Sequence, residues 1–316
     1  MKPLVLIDLP LLPAIAKMME PFCVTALWDL AQDPKSTSRE AVEGLFTYGH
    51  PIVDGPFLDL FPRLKVVSNF GVGVDHIDLK AALERKIPVG NTPGAVDGAT
   101  ADFTLALLLA AARNIVPGDR FARSSHFTHY NPNLLLGSDV HESTLGIIGM
   151  GRIGRKVAKR ASGFDMRILY HNRRRDLETE GELGVEYATL EDLLARSDFV
   201  SLNVPLTQET RGMIGERELR LMGRGAILVN VARGAVVDHE ALFRALEEGW
   251  IRGAAFDATE PEPLPRNHPL LALENFVITP HLGSAGERSR LRMAEMSVEN
   301  LRAGLEGRSL PWQVTR

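Results

Sequence analysis

Leu145-Gly146-Ile147-Ile148-Gly149-Met150-Gly151-Arg152-Ile153-Gly154 is the stretch whose reading decides the fold. An apolar strand, Thr144 to Ile148, runs into G-x-G-x-x-G, and a helix over Ile153 to Ser162 follows. The glycine pattern alone is weak; between a strand and a helix it is a dinucleotide-binding fingerprint. Gly149 permits the tight turn, Gly151 lets backbone approach a pyrophosphate, and Gly154 lets helix and strand pack closely. The helix start offers unpaired N–H groups to negative charge, with Met150, Arg152 and Ile153 lining the same loop. Gly71-Val72-Gly73 also follows a strand, but His76 stands where the third glycine would be, so no second dinucleotide site is read there.

Working outward, short apolar runs alternate with helical patterns. Leu4 to Ile7, Lys65 to Ser68, Met166 to His171, Phe199 to Leu202, Ala226 to Val229, Gly253 to Phe256 and Phe276 to Ile278 read as strands. Thr100 to Arg113, apolar nearly all round, reads as a buried helix that could also serve a subunit interface. Leu190 to Ala195 reads as a further helix. The alternation argues for an α/β protein with parallel sheets covered by helices on both faces. Asn91 to Gly98 and Glu260 to Pro269, rich in Pro and Gly, read as loops.

The end of the strand after the glycine loop separates NAD from NADP, because an acidic residue there bonds the ribose 2′-hydroxyl. This chain has His171-Asn172-Arg173-Arg174-Arg175, with no carboxylate before Asp176. Guanidinium forks suit a 2′-phosphate, so NADP(H) is the expected cofactor, held by Arg173 and Arg174 with Asn172 alongside; NAD(H) is the second choice. A solvated basic turn is the bland alternative.

Three polar residues follow strands in the second half: Arg233, Glu262 and His281. The carboxyl ends of strands form the ligand crevice of an open α/β sheet, so all three should approach a nicotinamide. The types suit reduction of a 2-keto acid. Histidine can protonate the new alkoxide, a carboxylate orients that ring, and arginine can hold a substrate carboxylate and polarise its carbonyl.

Asn230-Val231-Ala232-Arg233-Gly234, the run Asp257 to Pro263 and Pro280-His281-Leu282-Gly283-Ser284 resemble, in order and spacing, the signatures of the D-isomer-specific 2-hydroxyacid dehydrogenases. The resemblance covers the chain from about Lys65 onward. Pro261 to Leu271 and Tyr170 to Arg173 look most like the glyoxylate/hydroxypyruvate reductases within that family. It implies His281 as general acid, Glu262 as its partner and Arg233 as substrate clamp. Asn69 to Asp75 looks like the family's substrate loop, with Val72 and Gly73 N–H groups on the substrate carboxylate. Ser284, beside Gly283 and the nicotinamide, joins Arg233 and His281 around the substrate. Thr100, Pro205, Thr207, Val231, Ala232, Arg233, Asp257, His281 and Gly283 match cofactor-contacting positions. Where the family often has a tryptophan after its long helix, this chain has Ser124 to Tyr130, with Phe127 in the corresponding place.

The resemblance also implies two Rossmann-like doubly wound domains. A dinucleotide-binding domain of residues 98–284 would be inserted into a flavodoxin-like substrate domain of residues 1–97 and 285–316, with the active site in the cleft between and hinges near 91–98 and 283–286. The implied activity is NADPH-dependent reduction of a glyoxylate- or hydroxypyruvate-type keto acid to the D-2-hydroxy acid, by a homodimer. Three readings compete: another substrate such as 2-ketogluconate, a formate or phosphite oxidiser, and a cofactor-sensing corepressor. Glu262 speaks against the formate enzymes, which carry glutamine there. The corepressors can keep the Arg233, Glu262 and His281 set, but this chain has neither long disordered tails nor a basic patch.

Composition agrees with an enzyme of this kind. The 316 residues suit two domains, and 45% hydrophobic with 24% charged residues is an ordinary globular balance. A net charge of −4 gives no reason to expect nucleic acid. Cys23, the single cysteine, precludes an intrachain disulfide. The apolar start is too short for a secretory leader and Leu105 to Ala112 too short to span a bilayer. A cytoplasmic protein without membrane, nucleic-acid or metal partners is expected.

Overall fold

Period-two alternation inside short apolar strands gives each strand two buried faces, and that suits a parallel sheet covered on both sides. In the computed structural model, which describes residues 1–27, 37–49 and 51–314, every neighbouring strand pair runs parallel. The chain forms two compact units, Met1–Val96 with Gly286–Arg316, and Asp97–Ala285.

The first unit contains β1 (Leu4–Ile7), α1 (Pro13–Met19), β2 (Val24–Leu27), β3 (Val42–Thr47), α2 (Gly55–Leu58), β4 (Val66–Asn69), α3 (Leu79–Glu84) and β5 (Val89–Gly90). Its sheet order is β2-β1-β3-β4-β5, the flavodoxin-like arrangement. Val5 and Ile7 enter one core cluster, while Leu6 between them enters the other.

The second unit begins with α4 (Asp97–Ala112) and α5 (Ile115–Ala122), and then alternates. β6 (Thr144–Ile148), α6 (Arg152–Ala161), β7 (Arg167–His171), α7 (Leu177–Leu183), β8 (Glu186–Tyr187), α8 (Leu190–Arg196) and β9 (Phe199–Leu202) follow in turn. The unit ends with α9 (Glu216–Leu221), β10 (Ile227–Asn230), α10 (His239–Glu247), β11 (Gly253–Phe256) and β12 (Phe276–Ile278). The order β12-β11-β10-β9-β6-β7-β8 reverses between β6 and β9, as in a Rossmann sheet. Ile147 and Val229 face one core, Ile148 and Leu228 the other. Helix α4 lies on α6 and against β10 and β11.

The chain returns to the first unit through α11 (Glu287–Leu305), which lies on β3 and β4. Gly304 admits this contact, because a Cβ there would overlap Val66. Gly44 does the same on β3, where a Cβ would stand 3.0 Å from Leu301 Cδ1.

The doubly wound α/β architecture read from the sequence is therefore present in both units. Four strands were not anticipated. β2 and β8 are short and partly exposed, β5 is two residues long, and the pattern of β3 is interrupted by the very glycine that α11 requires. Helix α4 starts at Asp97, three residues before the expected Thr100. Gly98 weakens the helical pattern, but the Asp97 carboxylate is fixed by Arg152 Nε at 2.8 Å. Among the described residues no single helix is long and apolar enough to cross a membrane.

Candidate active site

The glycine loop occupies the switch between β6 and β9. Gly149 has φ +102°, and a Cβ there would stand 2.7 Å from the Asn203 backbone, so both conformation and space demand glycine. At Gly154 a Cβ would overlap the Gly149 carbonyl oxygen. Gly151, the N-cap of α6, is different: nothing lies within 4 Å of its Cβ position, and no side chain caps the helix. The result is an open cradle of uncapped N–H groups, a donor set that fits a diphosphate. Asn203 Nδ2, beside the loop, is buried without a partner among the described residues. Met150 N–H donates to Asn172 Oδ1 at 2.8 Å, so Asn172 ties the glycine loop to the end of β7. Exposed Arg152 is held by buried Asp97, and half-buried Ile153 follows on α6.

Tyr170 fixes the basic turn that comes next. Its buried hydroxyl accepts Asp176 N–H at 2.8 Å and donates to Glu180 Oε1 at 2.8 Å. Asp176 caps α7 and pairs with Arg155 Nη2 at 2.7 Å. Its carboxyl lies below the ordinary range, chiefly through the Thr179 N–H, then the Thr179 hydroxyl, with Arg155 adding to it. Arg175 pairs with Glu180. Arg173 and Arg174 are exposed and make no ion pair among the described residues. Across from them, in the loop after β9, the Thr210 hydroxyl accepts Thr207 N–H at 2.8 Å and donates to the Pro205 carbonyl at 2.7 Å. Glu209 there is shifted down mainly by the Thr207 hydroxyl, with Arg173 among the further causes.

The loops after β10, β11 and β12 carry the polar trio. Asn230, fully buried, accepts Ala232 N–H at 3.0 Å and donates to the Arg233 carbonyl at 2.9 Å, which shapes the turn from Val231 to Arg233. Gly234 lies flat on the Thr259–Glu260 backbone, where a Cβ would overlap it, so the Arg233 turn rests against the loop that carries Glu262. His281 Nδ1 lies 2.9 Å from Glu262 Oε1. A carboxylate only accepts, so Nδ1 donates and Nε2 is left for chemistry. His281 has φ +56°, a region that side chains with a Cβ seldom adopt. Asp257 sustains it: its oxygens accept from the Leu282 and Gly283 N–H groups and the Thr279 hydroxyl, each at 2.7 Å. A Cβ on Gly283 would stand 3.0 Å from Asp257 Oδ2 and 3.6 Å from Thr100 Cγ2, so Thr100, Asp257 and Gly283 form one cluster, with half-buried Ser284 next in the chain.

In the first unit, Val72 and Gly73 follow β4. Their N–H groups donate to no described residue, whereas the carbonyl oxygens of Gly71, Val72 and Gly73 all accept hydrogen bonds. Phe127 is 53% exposed and meets Phe121 edge-on at 5.8 Å. The sequence reading missed Asn69, Asn91, Asp97 and Asn230, and gave Asn172 and Asp257 only ligand contacts. An Asn or Asp at a strand end beside a glycine turn is the signal that could have found most of them.

Residues 105–283 match the model of the D-isomer specific 2-hydroxyacid dehydrogenase NAD-binding domain. A glyoxylate reductase of Korarchaeum cryptofilum is 54% identical over 82% of this chain and 78% of its own. One from Aeropyrum pernix is 46% identical over 100% of this chain and 96% of its own. The crystal structure of an NADPH-dependent glyoxylate/hydroxypyruvate reductase from Sinorhizobium meliloti, in complex with NADP and malonate, superposes with a TM-score of 0.91 at 30% identity, covering 100% of this chain and 97% of that one.

The two helix-side glycines should separate binding from folding. Gly151→Ala is expected to cost under about 1 kcal/mol of stability while weakening dinucleotide binding at least roughly tenfold. Gly154→Ala should cost about 1–3 kcal/mol. Denaturant unfolding and nucleotide titration of both variants check this; equal effects on folding would contradict it.

Proposed function

The chain belongs to the D-isomer specific 2-hydroxyacid dehydrogenase family, and from that premise we propose that it reduces a small 2-keto acid of the glyoxylate or hydroxypyruvate type to the D-2-hydroxy acid, with NADPH preferred over NADH. The His281–Glu262 pair carries the proposal. Reduction of a ketone must deliver a proton to oxygen as a hydride reaches carbon, and this hydrogen-bonded acid sits on the sheet edge that also bears the glycine loop. The names of the Korarchaeum and Aeropyrum relatives support the substrate class.

A bound nicotinamide dinucleotide supplies the hydride. The glycine loop from Gly149 to Gly154 would hold its diphosphate, with Thr100, Pro205, Thr207, Val231, Ala232, Asp257 and Gly283 lining the rest. Exposed Arg173 and Arg174, which make no ion pair among the described residues, would take a 2′-phosphate. Two facts support that assignment: Arg175 and Asp176 are engaged elsewhere, and the S. meliloti enzyme is an NADPH-dependent one. His281 gives a proton from Nε2 to the substrate oxygen while Nδ1–H stays on Glu262, so the ring keeps its orientation through the transfer. Arg233 holds the substrate carboxylate and polarises the carbonyl. In the first unit, the N–H groups of Val72 and Gly73, which donate to no described residue, would bind a substrate carboxylate, and in the second unit Ser284 would stand beside the nicotinamide. Residues 1–97 and 285–316 are thus assigned to the substrate, residues 98–284 to the cofactor.

A homodimer is part of the proposal. Helix α5 buries none of its residues, and the segment after it exposes Phe127, Tyr130 and Leu136. Exposed apolar side chains of this size on a family enzyme are best covered by a second copy.

His281→Ala should lower kcat by about 10²–10⁴-fold and leave the NADPH dissociation constant unchanged; normal turnover would remove His281 from the mechanism. Arg173→Ala should raise KM for NADPH by at least roughly tenfold, as expected for loss of a charge-assisted contact, with KM for NADH unmoved. An unaltered nucleotide preference would end the 2′-phosphate assignment. Light scattering should give twice the chain mass, and Tyr130→Glu with Leu136→Glu should shift it toward one; a wild-type monomer would refute the dimer.

A further inference from the structure

From Gly71 to Gly73, the loop expected to receive the substrate carboxylate is held by hydrogen bonds to its carbonyl oxygens. The Gly71 oxygen accepts Thr92 N–H at 3.0 Å and Asn69 Nδ2 at 3.1 Å. The Gly73 oxygen accepts Asn69 Nδ2 at 2.8 Å, and the Val72 oxygen accepts Asn91 Nδ2 at 2.8 Å. A trans peptide is planar, with its C=O and N–H on opposite sides. An anchored oxygen therefore sets the direction of the N–H in the same plane. The Gly71 oxygen sets the Val72 N–H, and the Val72 oxygen sets the Gly73 N–H.

The two peptides are not anchored alike. Gly71 has two donors, one of them backbone, so losing a side chain leaves the other. Among the described residues, the Val72 oxygen accepts from Asn91 alone. Asn91 is in turn fixed through its own backbone. Its N–H donates to the Trp312 carbonyl at 3.1 Å, and its oxygen accepts Asn300 Nδ2 at 2.9 Å. Asn300 is fully buried on α11, its Oδ1 accepts Trp312 N–H at 3.0 Å, and a Cβ on Gly90 would stand only 2.6 Å from it. A buried amide with donor and acceptor both engaged has one orientation, so the Asn91 backbone is immobilised independently of its side chain.

We infer that Asn91 is a positioning residue for substrate binding: through the Val72 carbonyl it aims the Gly73 N–H at the keto acid's carboxylate, which rests on Val72 and Gly73 being that carboxylate's donors. Asn91 touches neither substrate nor cofactor in this role. A free N–H donor must otherwise be oriented at the moment of binding, and the lost preorganisation is read as weaker affinity.

The test uses the full-length protein labelled with ¹⁵N-glycine and ¹⁵N-valine, and oxalate as a carboxylate that cannot be reduced. In the wild-type protein, oxalate with NADP should move the Val72 and Gly73 amide signals. If neither moves, the carboxylate assignment itself is wrong. Asn91→Ala and the isosteric Asn91→Asp should each raise KM for glyoxylate and Kd for oxalate roughly tenfold, as expected for one misdirected hydrogen bond. kcat should stay within about twofold, with NADPH affinity unchanged. If the wild-type amides respond but both variants keep wild-type KM and oxalate affinity, the role of Asn91 is overturned while the carboxylate assignment stands. A purely structural role would lower the melting temperature without separating KM from kcat.

Discussion

A carboxylate buried at a strand end tolerates its burial only if its oxygens are satisfied, and Asp257 meets that condition by joining three strands. It is 3% exposed. Its N–H donates to the Asn230 carbonyl at the end of β10, its own carbonyl accepts His281 N–H, and its side chain gathers the Thr279 hydroxyl with the Leu282 and Gly283 N–H groups. Loss of the acceptor would strand three buried or half-buried donors, each costing about 1–3 kcal/mol. That penalty exceeds the roughly 1–2 kcal/mol needed to hold a histidine in the left-handed region, so the backbone of His281 is set by its neighbour. With the ring thus delivered, a single hydrogen bond to Glu262 settles which nitrogen faces outward.

The same device recurs wherever the chain needs a loop of fixed shape. Asn230 shapes the Arg233 turn from within, Asn172 ties down the glycine loop, Asn69 and Asn91 hold the carbonyls after β4, and Asp8 receives the Thr47 hydroxyl and Tyr48 N–H beyond β1. Each is an acceptor or amide at a carboxyl end of a parallel strand, where the next residues leave the sheet and backbone groups lose their ladder partners. A short polar side chain replaces those partners without adding bulk. The turns stay rigid while selected N–H groups stay free, which is what preorganised binding of an anion requires.

Much of this was legible in the amino-acid sequence, and the reasons it was or was not are physical. The strand–glycine–helix run around Gly149 is legible because its three glycines answer separate steric demands. Once the β-α-β alternation is seen, residues after β10, β11 and β12 must share one sheet edge, so Arg233, Glu262 and His281 could be grouped without a structure. β3 was hidden because the glycine that admits α11 also breaks the strand pattern, and β8 because two residues carry no period. The work of Asn69 and Asn91 was hidden for a different reason. It depends on which carbonyl each amide reaches, and for Asn91 on Asn300, more than two hundred residues later. Asn172 was read as a phosphate neighbour because its charge-bearing surroundings were visible, whereas its bond to Met150 crosses between two strands.

The central claim is that an imidazole paired with a carboxylate protonates a keto oxygen at the edge of a dinucleotide-binding sheet. Its most direct measurement is nucleotide oxidation on mixing the purified protein with glyoxylate, hydroxypyruvate and other 2-keto acids, using NADPH and NADH in parallel. The account predicts rapid loss of NADPH absorbance with glyoxylate or hydroxypyruvate, slower loss with NADH, and D-glycerate as the product from hydroxypyruvate. No oxidation of either nucleotide with any 2-keto acid, or formation of the L-enantiomer, would contradict it.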